Sequence, residues 1–334
     1  RIKPFKITQM IQNNKLFFLV LCQFLFGICS QAEDKKVVFV AGPKSHGFFA
    51  HEHAAGCKLL AEHLEAANLG IKTVVVTGGF PQDKSVFNDA DAVVVACDGG
   101  VRHLLNKNLK EFDEVMKRGV GLACIHYGVE TTKGPAGDHF LKWIGGYFEP
   151  YWSVNPVWNA TFKLLPRHPI TQGVMPFTMQ DEWYYHMRFR EATSAIGSIV
   201  PILSAHPPEN TMKRLKPGVD KHPHHGNPDV ADAVLKRKEA QHVAWAYQRG
   251  EDYNYGRGFG FTGAHFHENW ASLDARRLVL NAIAWIAKVD VPKTGVPSKE
   301  VTMKDLLQNQ DFLKPENWKN QKNVEQKLAR FRLN

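Results

Sequence analysis

The sequence predicts a three-layer α/β fold, with a doubly wound and mostly parallel sheet, over residues 36–289. Two observations predict it. Four short runs of Val, Ala and Ile alternate with stretches of helical periodicity. The runs are nearly continuous in apolar residues rather than alternating, which is the pattern of strands covered on both faces. At 334 residues and 44% hydrophobic composition, the chain can supply one large core.

The elements follow in order. "KKVVFVAG" (35–42) reads as a strand ending in Gly42. "HEHAAGCKLLAEHLEAAN" (51–68) reads as a helix closed by Asn68 and Gly70. "IKTVVVTGG" (71–79) and "ADAVVVACDGG" (90–100) are the second and third strands. "LNKNLKEFDEVMKRG" (105–119) is an amphipathic helix stopped by Gly119, and "VGLACI" (120–125) is the fourth strand. This order is flavodoxin-like, and it puts a binding crevice at the carboxyl ends of the strands. Ser45, His46, the stretch from Asp98 to His103, and His126 fall there.

The second half is less regular. "FKLLPRHPITQGV" (162–174) reads as a strand and a turn, and "IVPILSA" (199–205) as a strand. "HVAWAYQ" (242–248) and "GRGFGFTGAH" (256–265) read as a strand pair, and "NWASLDARRLVLNAIAWIAKV" (269–289) as the closing helix. Residues 206–240 are polar and Pro-rich and read as a surface excursion that includes "HPHH" (222–225). Residues 290–334 read as a peripheral tail with one or two helical turns.

The N-terminal stretch reads as a secretory signal over residues 10–32. Met10 is its expected start, "KLFFLVLCQFLFGI" its apolar segment and Ser30-Gln31-Ala32 its cleavage site. Export, to the periplasm or the medium, is the expectation, with no stable membrane span after cleavage. The net charge of +9 includes Arg1, Lys3, Lys6 and Lys15 from this stretch, so the rest of the chain is only mildly basic. No basic stripe interleaved with aromatics appears, which argues against nucleic acid. Cys57, Cys97 and Cys124 sit in apolar segments and read as buried thiols.

The chemistry rests on histidine, of which the chain has 16. "GLACIHYG" has the layout of a nucleophile elbow, a strand turning sharply into a helix, but His126 stands where Ser or Cys would attack. Such a side chain points into the crevice, where it can bind a metal or a substrate hydroxyl. In "SHGFFAHEHAAG", His51 and His53 are two apart and cannot share a helix face, and His53 is preferred because it leads the helix into the sheet. His265 follows the small residues Gly263 and Ala264, and His267 shares its face in extended chain. Glu182 in "MQDEWYYHM" lies among apolar residues, and a carboxylate there wants a partner. The reading is therefore a metal set of His53, His126 and His265, with Zn²⁺ as the ion and Glu182 as the added carboxylate. His126 and Glu182 are the candidate catalytic residues, and His46, His103 and His267 the candidate substrate-binding ones. Trp143, Tyr147, Tyr151, Trp152, Trp158 and the run from Trp183 to Tyr185 offer aromatic faces that suit sugar rings as well as a core.

Four stretches, "GPKSHGFFAHEHAAG", "GVGLACIHYG", "DEWYYH" and "HVAWAYQRGEDYNYGRGFGFTGAHFHE", give the chain a resemblance to the ThuA-like (trehalose utilisation) family over about residues 36–289. The resemblance implies the class I glutamine amidotransferase-like fold, with the amidotransferase cysteine replaced by histidine and glutaminase activity lost. It implies a role in disaccharide or keto-sugar metabolism with a carbohydrate substrate. Metal-assisted hydrolysis or isomerisation at a histidine-rich cleft is the leading expectation, and a non-catalytic carbohydrate-binding or accessory protein is the alternative. A cysteine hydrolase is disfavoured by the elbow. The export signal, the 206–240 excursion and the tail depart from the short ThuA pattern.

Overall fold

Seven apolar strands form the sheet: β1 (Lys35–Ala41), β2 (Ile71–Val76), β3 (Ala92–Ala96), β4 (Gly121–Ile125), β5 (Val200–Ala205), β6 (Gln241–Gln248) and β7 (Arg257–Phe261). The structure is a computed structural model, and it describes residues 33–191, 199–212 and 222–333. The strand order is β2-β1-β3-β4-β7-β6-β5. The pairs from β2 through β7 are parallel, while β6 runs antiparallel to both β7 and β5. The expected pairing of the last two strands is therefore present. Every residue of β3 and β4 is buried, which explains why their sequences do not alternate.

Side chains alternate between two cores. Val37, Phe39, Val94 and Ala123 face one, which holds Leu60 and Leu64 of α1 (His53–Ala66) and Leu278 and Ile283 of α4 (Leu273–Ile286). Val38, Val40, Val95 and Cys124 face the other, with Phe112 and Met116 of α2 (Leu109–Lys117) and Phe140 and Trp143 of α3 (Pro135–Trp143). The fold is thus the mostly parallel, doubly wound α/β sandwich, with one pair of helices on each face. Gly121 admits the end of α4: a Cβ there would lie 2.3 Å from the Ile286 carbonyl.

Two regions differ from expectation. The strand expected within 162–174 lies earlier, at Trp158–Phe162, and pairs antiparallel with Phe177–Asp181. Pro166 and Pro169 lack the N–H that would carry it further. The C-terminal segment forms more than one or two turns: α5 (Gln321–Leu333) has 13 residues. Val296, Val301, Leu306, Val324 and Leu328 of that segment join the core of α1 and α4. Residues Lys35–Asn334 make one compact unit. The segment expected to be a signal, residues 10–32, lies outside the described residues, among which no helix is long and apolar enough to cross a membrane.

Candidate functional site

The chain leaves β1 for β2 on one side and reaches β3 on the other, so the sheet's switch point lies at the carboxyl ends of β1 and β3. β4 and β7 end beside them. His126 follows Ile125 and opens a tight turn, His126–Val129, with φ of +51°. A Cβ at Gly128 would lie 3.1 Å from the Val95 carbonyl, so a small residue lets this turn pass close over β3. His46, Phe49, His51 and Ala264 are also left-handed, at φ 59°, 73°, 51° and 82°. Non-glycine residues in this region cost on the order of 1–3 kcal/mol each, and they gather here around one crevice.

Two loops are laced together above that crevice. The His51 N–H donates to the His265 carbonyl at 3.1 Å, and the His267 N–H to the Phe49 carbonyl at 3.1 Å, about an Ala50–Phe266 bridge. Buried Asp181 holds the second loop. It accepts the Ala264 N–H at 2.6 Å, the His265 N–H at 3.1 Å and the Asn269 side-chain amide at 2.8 Å. Glu182 comes next in the chain and so faces the same crevice.

Four side chains converge there: His51, His126, His265 and Glu182. His126 Nδ1 donates to the Thr262 carbonyl at 2.7 Å, which leaves Nε2 with its lone pair inward. That Nε2 lies 3.1 Å from His51 Nε2, 3.5 Å from Glu182 Oε2 and 3.2 Å from the Tyr184 hydroxyl. His265 Nδ1 lies 2.8 Å from His51 Nε2 and 3.2 Å from Glu182 Oε2. One tautomer of His51 sets protons against each other here, and the other lets its Nε2 accept from His265 Nδ1. If His51 donates from Nε2 to His126 and His265 donates from Nδ1 to Glu182, two N–H groups confront each other at 2.8 Å. A cation among the four atoms removes the conflict, so this cluster is one that could hold a metal ion.

The electrostatics agree. Burial, then the neighbouring rings of His126 and His265, hold His51 far below its ordinary pKa, in the neutral form that ligates. Burial pushes the Glu182 carboxyl up, but His126 and His265 outweigh it and bring it down to about 2. Burial lowers His265, and Glu182 more than offsets that and leaves it raised. Tyr184 is fully buried, which keeps its phenol protonated well above the usual range.

His126, His265 and Glu182 thus come together as the sequence suggests, and His51 stands where His53 was expected. His51 is not on the helix, which begins at His53. The left-handed turn at His51 points its ring inward, so the helical argument that favoured His53 does not apply. His53 instead sits 3.5 Å from Asp98 Oδ1. Asp98 also accepts from Ser45 Oγ at 2.5 Å, pairs with Arg102 at 3.0 Å and lies 3.9 Å from His51 Nδ1.

The expected substrate-binding histidines scatter. His46 is at the rim, its side chain 37% exposed, stacked on His51 with centroids 3.6 Å apart. His103 does not line the crevice. It is buried beneath the elbow, with Nε2 donating to the Gly128 carbonyl at 3.0 Å and Nδ1 accepting the Leu105 N–H at 3.1 Å, and burial lowers it to about 4. His267 lies behind the cluster, its ring 5.4 Å from that of Phe49, and burial takes it to about 4 as well. Cys57, Cys97 and Cys124 are free and buried, and burial pushes the first two thiols up to about 12 and the third well above its usual value.

One pair was not foreseen. His224, read as surface, is brought in where the Tyr151 N–H donates to the Pro223 carbonyl at 2.6 Å, and it meets buried Glu130 at 3.1 Å. The glycines Gly99 and Gly100 were the available signal: a Cβ on either would lie within 2.7–2.9 Å of the Glu130 side chain.

The ThuA family profile, described as trehalose utilisation, matches residues 36–286. The fold is shared with a ThuA-like protein of Bacteroides uniformis, at 16% identity and a TM-score of 0.50, over 80% of this chain and 96% of that one. A ThuA-like protein of Parabacteroides merdae matches at 13% identity and a TM-score of 0.49, over 82% of this chain and 99% of that one. No curated protein matches the chain.

Asp181 is the hinge of this arrangement, so Asp181→Ala leaves several buried donors without an acceptor. Urea unfolding should show a loss of about 3 kcal/mol or more. A loss below about 1 kcal/mol would mean that the loop does not depend on this carboxylate.

Proposed function

The chain belongs to the ThuA family, and from that premise we propose that it is an exported, metal-assisted enzyme of carbohydrate metabolism, acting on a disaccharide or keto-sugar. The observation that carries this reading is the convergence of three imidazole nitrogens and one carboxylate oxygen in a largely buried crevice. Four of their six separations, at 2.8–3.5 Å, bracket the spacing of about 3.3 Å between ligand atoms in a tetrahedron with Zn²⁺ bonds of about 2.0–2.1 Å, and all six lie within 4.8 Å. Imidazole and carboxylate donors suit that ion. His51, His126, His265 and Glu182 would hold it. The Thr262 carbonyl behind His126 is the kind of outer partner that such a ligand uses for orientation, while Asp98 lies 3.9 Å from His51 Nδ1, beyond hydrogen-bond reach.

A divalent ion bound there would polarise a sugar carbonyl or lower the pKa of a water if either joined as a fifth ligand or displaced one of the four, and these are the two services hydrolysis or isomerisation requires. The rest falls to the protein. The Tyr184 hydroxyl, held protonated beside His126, can donate to a sugar oxygen. Ser45 and His46 at the rim can take hydroxyl groups. The elbow offers no thiol or hydroxyl nucleophile and the thiols are buried and protonated, so the reading excludes glutaminase-type acyl transfer.

Export rests on the apolar segment that precedes Ser30-Gln31-Ala32. N-terminal sequencing of protein from its own host should begin near Glu33; an intact Met10 end in the cytosol would reverse it.

Metal analysis of protein loaded with Zn²⁺ and desalted should find about one ion per chain. His51→Ala, His126→Ala, His265→Ala and Glu182→Ala should each abolish stoichiometric binding, while His53→Ala keeps it. The loaded protein should convert a disaccharide or its keto derivative, followed by chromatography, and lose this with a chelator. Binding without turnover on a broad sugar panel would favour a binding or accessory role. Failure to bind the ion, or equal loss in His53→Ala and His51→Ala, would overturn the metal site.

A further inference from the structure

Glu130 is 2% exposed and lies at the mouth of the elbow turn, four residues after His126. Burying a carboxylate costs several kcal/mol unless a partner compensates, and a buried ion pair is a weak source of stability. The fold nonetheless makes room for it. A Cβ at Gly99 would meet the Tyr127 carbonyl at 2.4 Å and the Glu130 Cβ at 2.7 Å, and one at Gly100 would meet Glu130 Oε1 at 2.9 Å.

The partner is His224. Its Nε2 lies 3.2 Å from Glu130 Oε1 and 3.1 Å from Oε2, so the ring is held by its far nitrogen. The other nitrogen, Nδ1, points toward the metal cluster. There Asn155 stands between the two groups, its amide 3.4 Å from His224 Nδ1 and 3.1 Å from Glu182 Oε1. An amide N–H that faces Nδ1 requires a lone pair on it. The Glu130 carboxylate in turn requires a proton on Nε2. The tautomer is thus fixed from both sides. The rings of Tyr127 and Phe148 wall the imidazole at 5.9 and 5.6 Å, and its side chain keeps 19% exposure. This is the arrangement of a carboxylate and an oriented imidazole whose basic nitrogen faces only the long contact of the Asn155 amide, which a substrate hydroxyl would have to displace, here without a nucleophilic side chain in front of it.

We propose that His224 carries the proton for the reaction at the histidine–Glu182 cluster, with Glu130 as its positioning residue; the proposal rests on the metal-site reading above. His224 Nδ1 takes the proton of a water or sugar hydroxyl held at the cluster, breaking an O–H bond and forming an N–H bond. The imidazolium is stabilised by Glu130 while the freed oxygen closes a bond to carbon and that carbon's bond to the departing oxygen breaks, and the same proton passes to the departing oxygen. The ring begins and ends neutral, so no oxidant or further reactant is needed. Burial lowers His224 but the Glu130 contact outweighs it and raises the ring, which favours the accepted proton.

The test is nitrogen NMR on ¹⁵N-histidine protein loaded with Zn²⁺, alone and with acetohydroxamate, a metal-binding probe with one ionisable proton. Without the probe, at mildly alkaline pH, His224 should be protonated at Nε2 only. With the probe saturating, both nitrogens should be protonated. In Glu130→Gln, Zn²⁺ uptake should stay stoichiometric while the second protonation disappears. A His224 protonated at Nδ1 in the free protein, or one unchanged by the probe, overturns the proposal on the wild-type protein alone. The signals of His51, His126 and His265 report separately: if they do not move with Zn²⁺, the metal site itself has failed.

Discussion

The bond from His126 Nδ1 to the Thr262 carbonyl decides what the crevice can be. It spans 136 positions of sequence and joins the end of β4 to the end of β7. By using the outer nitrogen as donor, it turns the inner one into an acceptor that faces three other ligating atoms. With the opposite tautomer, His126 would present an N–H to the cluster and could not ligate through that nitrogen. An elbow that elsewhere displays a nucleophile here displays a lone pair.

The remaining pieces follow from holding that lone pair in company. Asp181 fixes the Ala264–Phe266 backbone and so aims His265, while its neighbour Glu182 supplies the carboxylate. The backbone bonds between residues 49–51 and 265–267 bring His51 to the same place. His51 and His126 sit in left-handed backbone that neither residue would choose alone. The central strands β3 and β4, fully buried on both faces, supply the rigidity that keeps them there.

The fold was legible because β3 and β4 are buried on both sides and therefore carry runs of Val, Ala and Ile that no amphipathic pattern confuses. The elbow was legible from a strand ending at a short His-Tyr-Gly turn. His265 and Glu182 stood out because small or apolar neighbours surround a group that needs a partner. His51 was hidden because its role depends on a positive φ, which a histidine does not advertise and helical periodicity misrepresents. His224 was hidden by its neighbours: a Pro-rich polar stretch looks like surface, and only a long-range backbone bond brings it to Glu130. His103 shows the converse. Its position at a strand end suggested the crevice, but the 3₁₀ turn Gly100–Arg102 directs it beneath the elbow.

The central claim is that these four side chains, from three loops and the end of one hairpin, are ligands to a single cation. Crystals of the Zn²⁺-loaded protein, measured on both sides of the zinc absorption edge, test it most directly. The account predicts one anomalous peak bounded by His51 Nε2, His126 Nε2, His265 Nδ1 and Glu182 Oε2, at about 2.0–2.2 Å from each. A peak centred elsewhere, or a stoichiometrically loaded protein with none at this position, would contradict it.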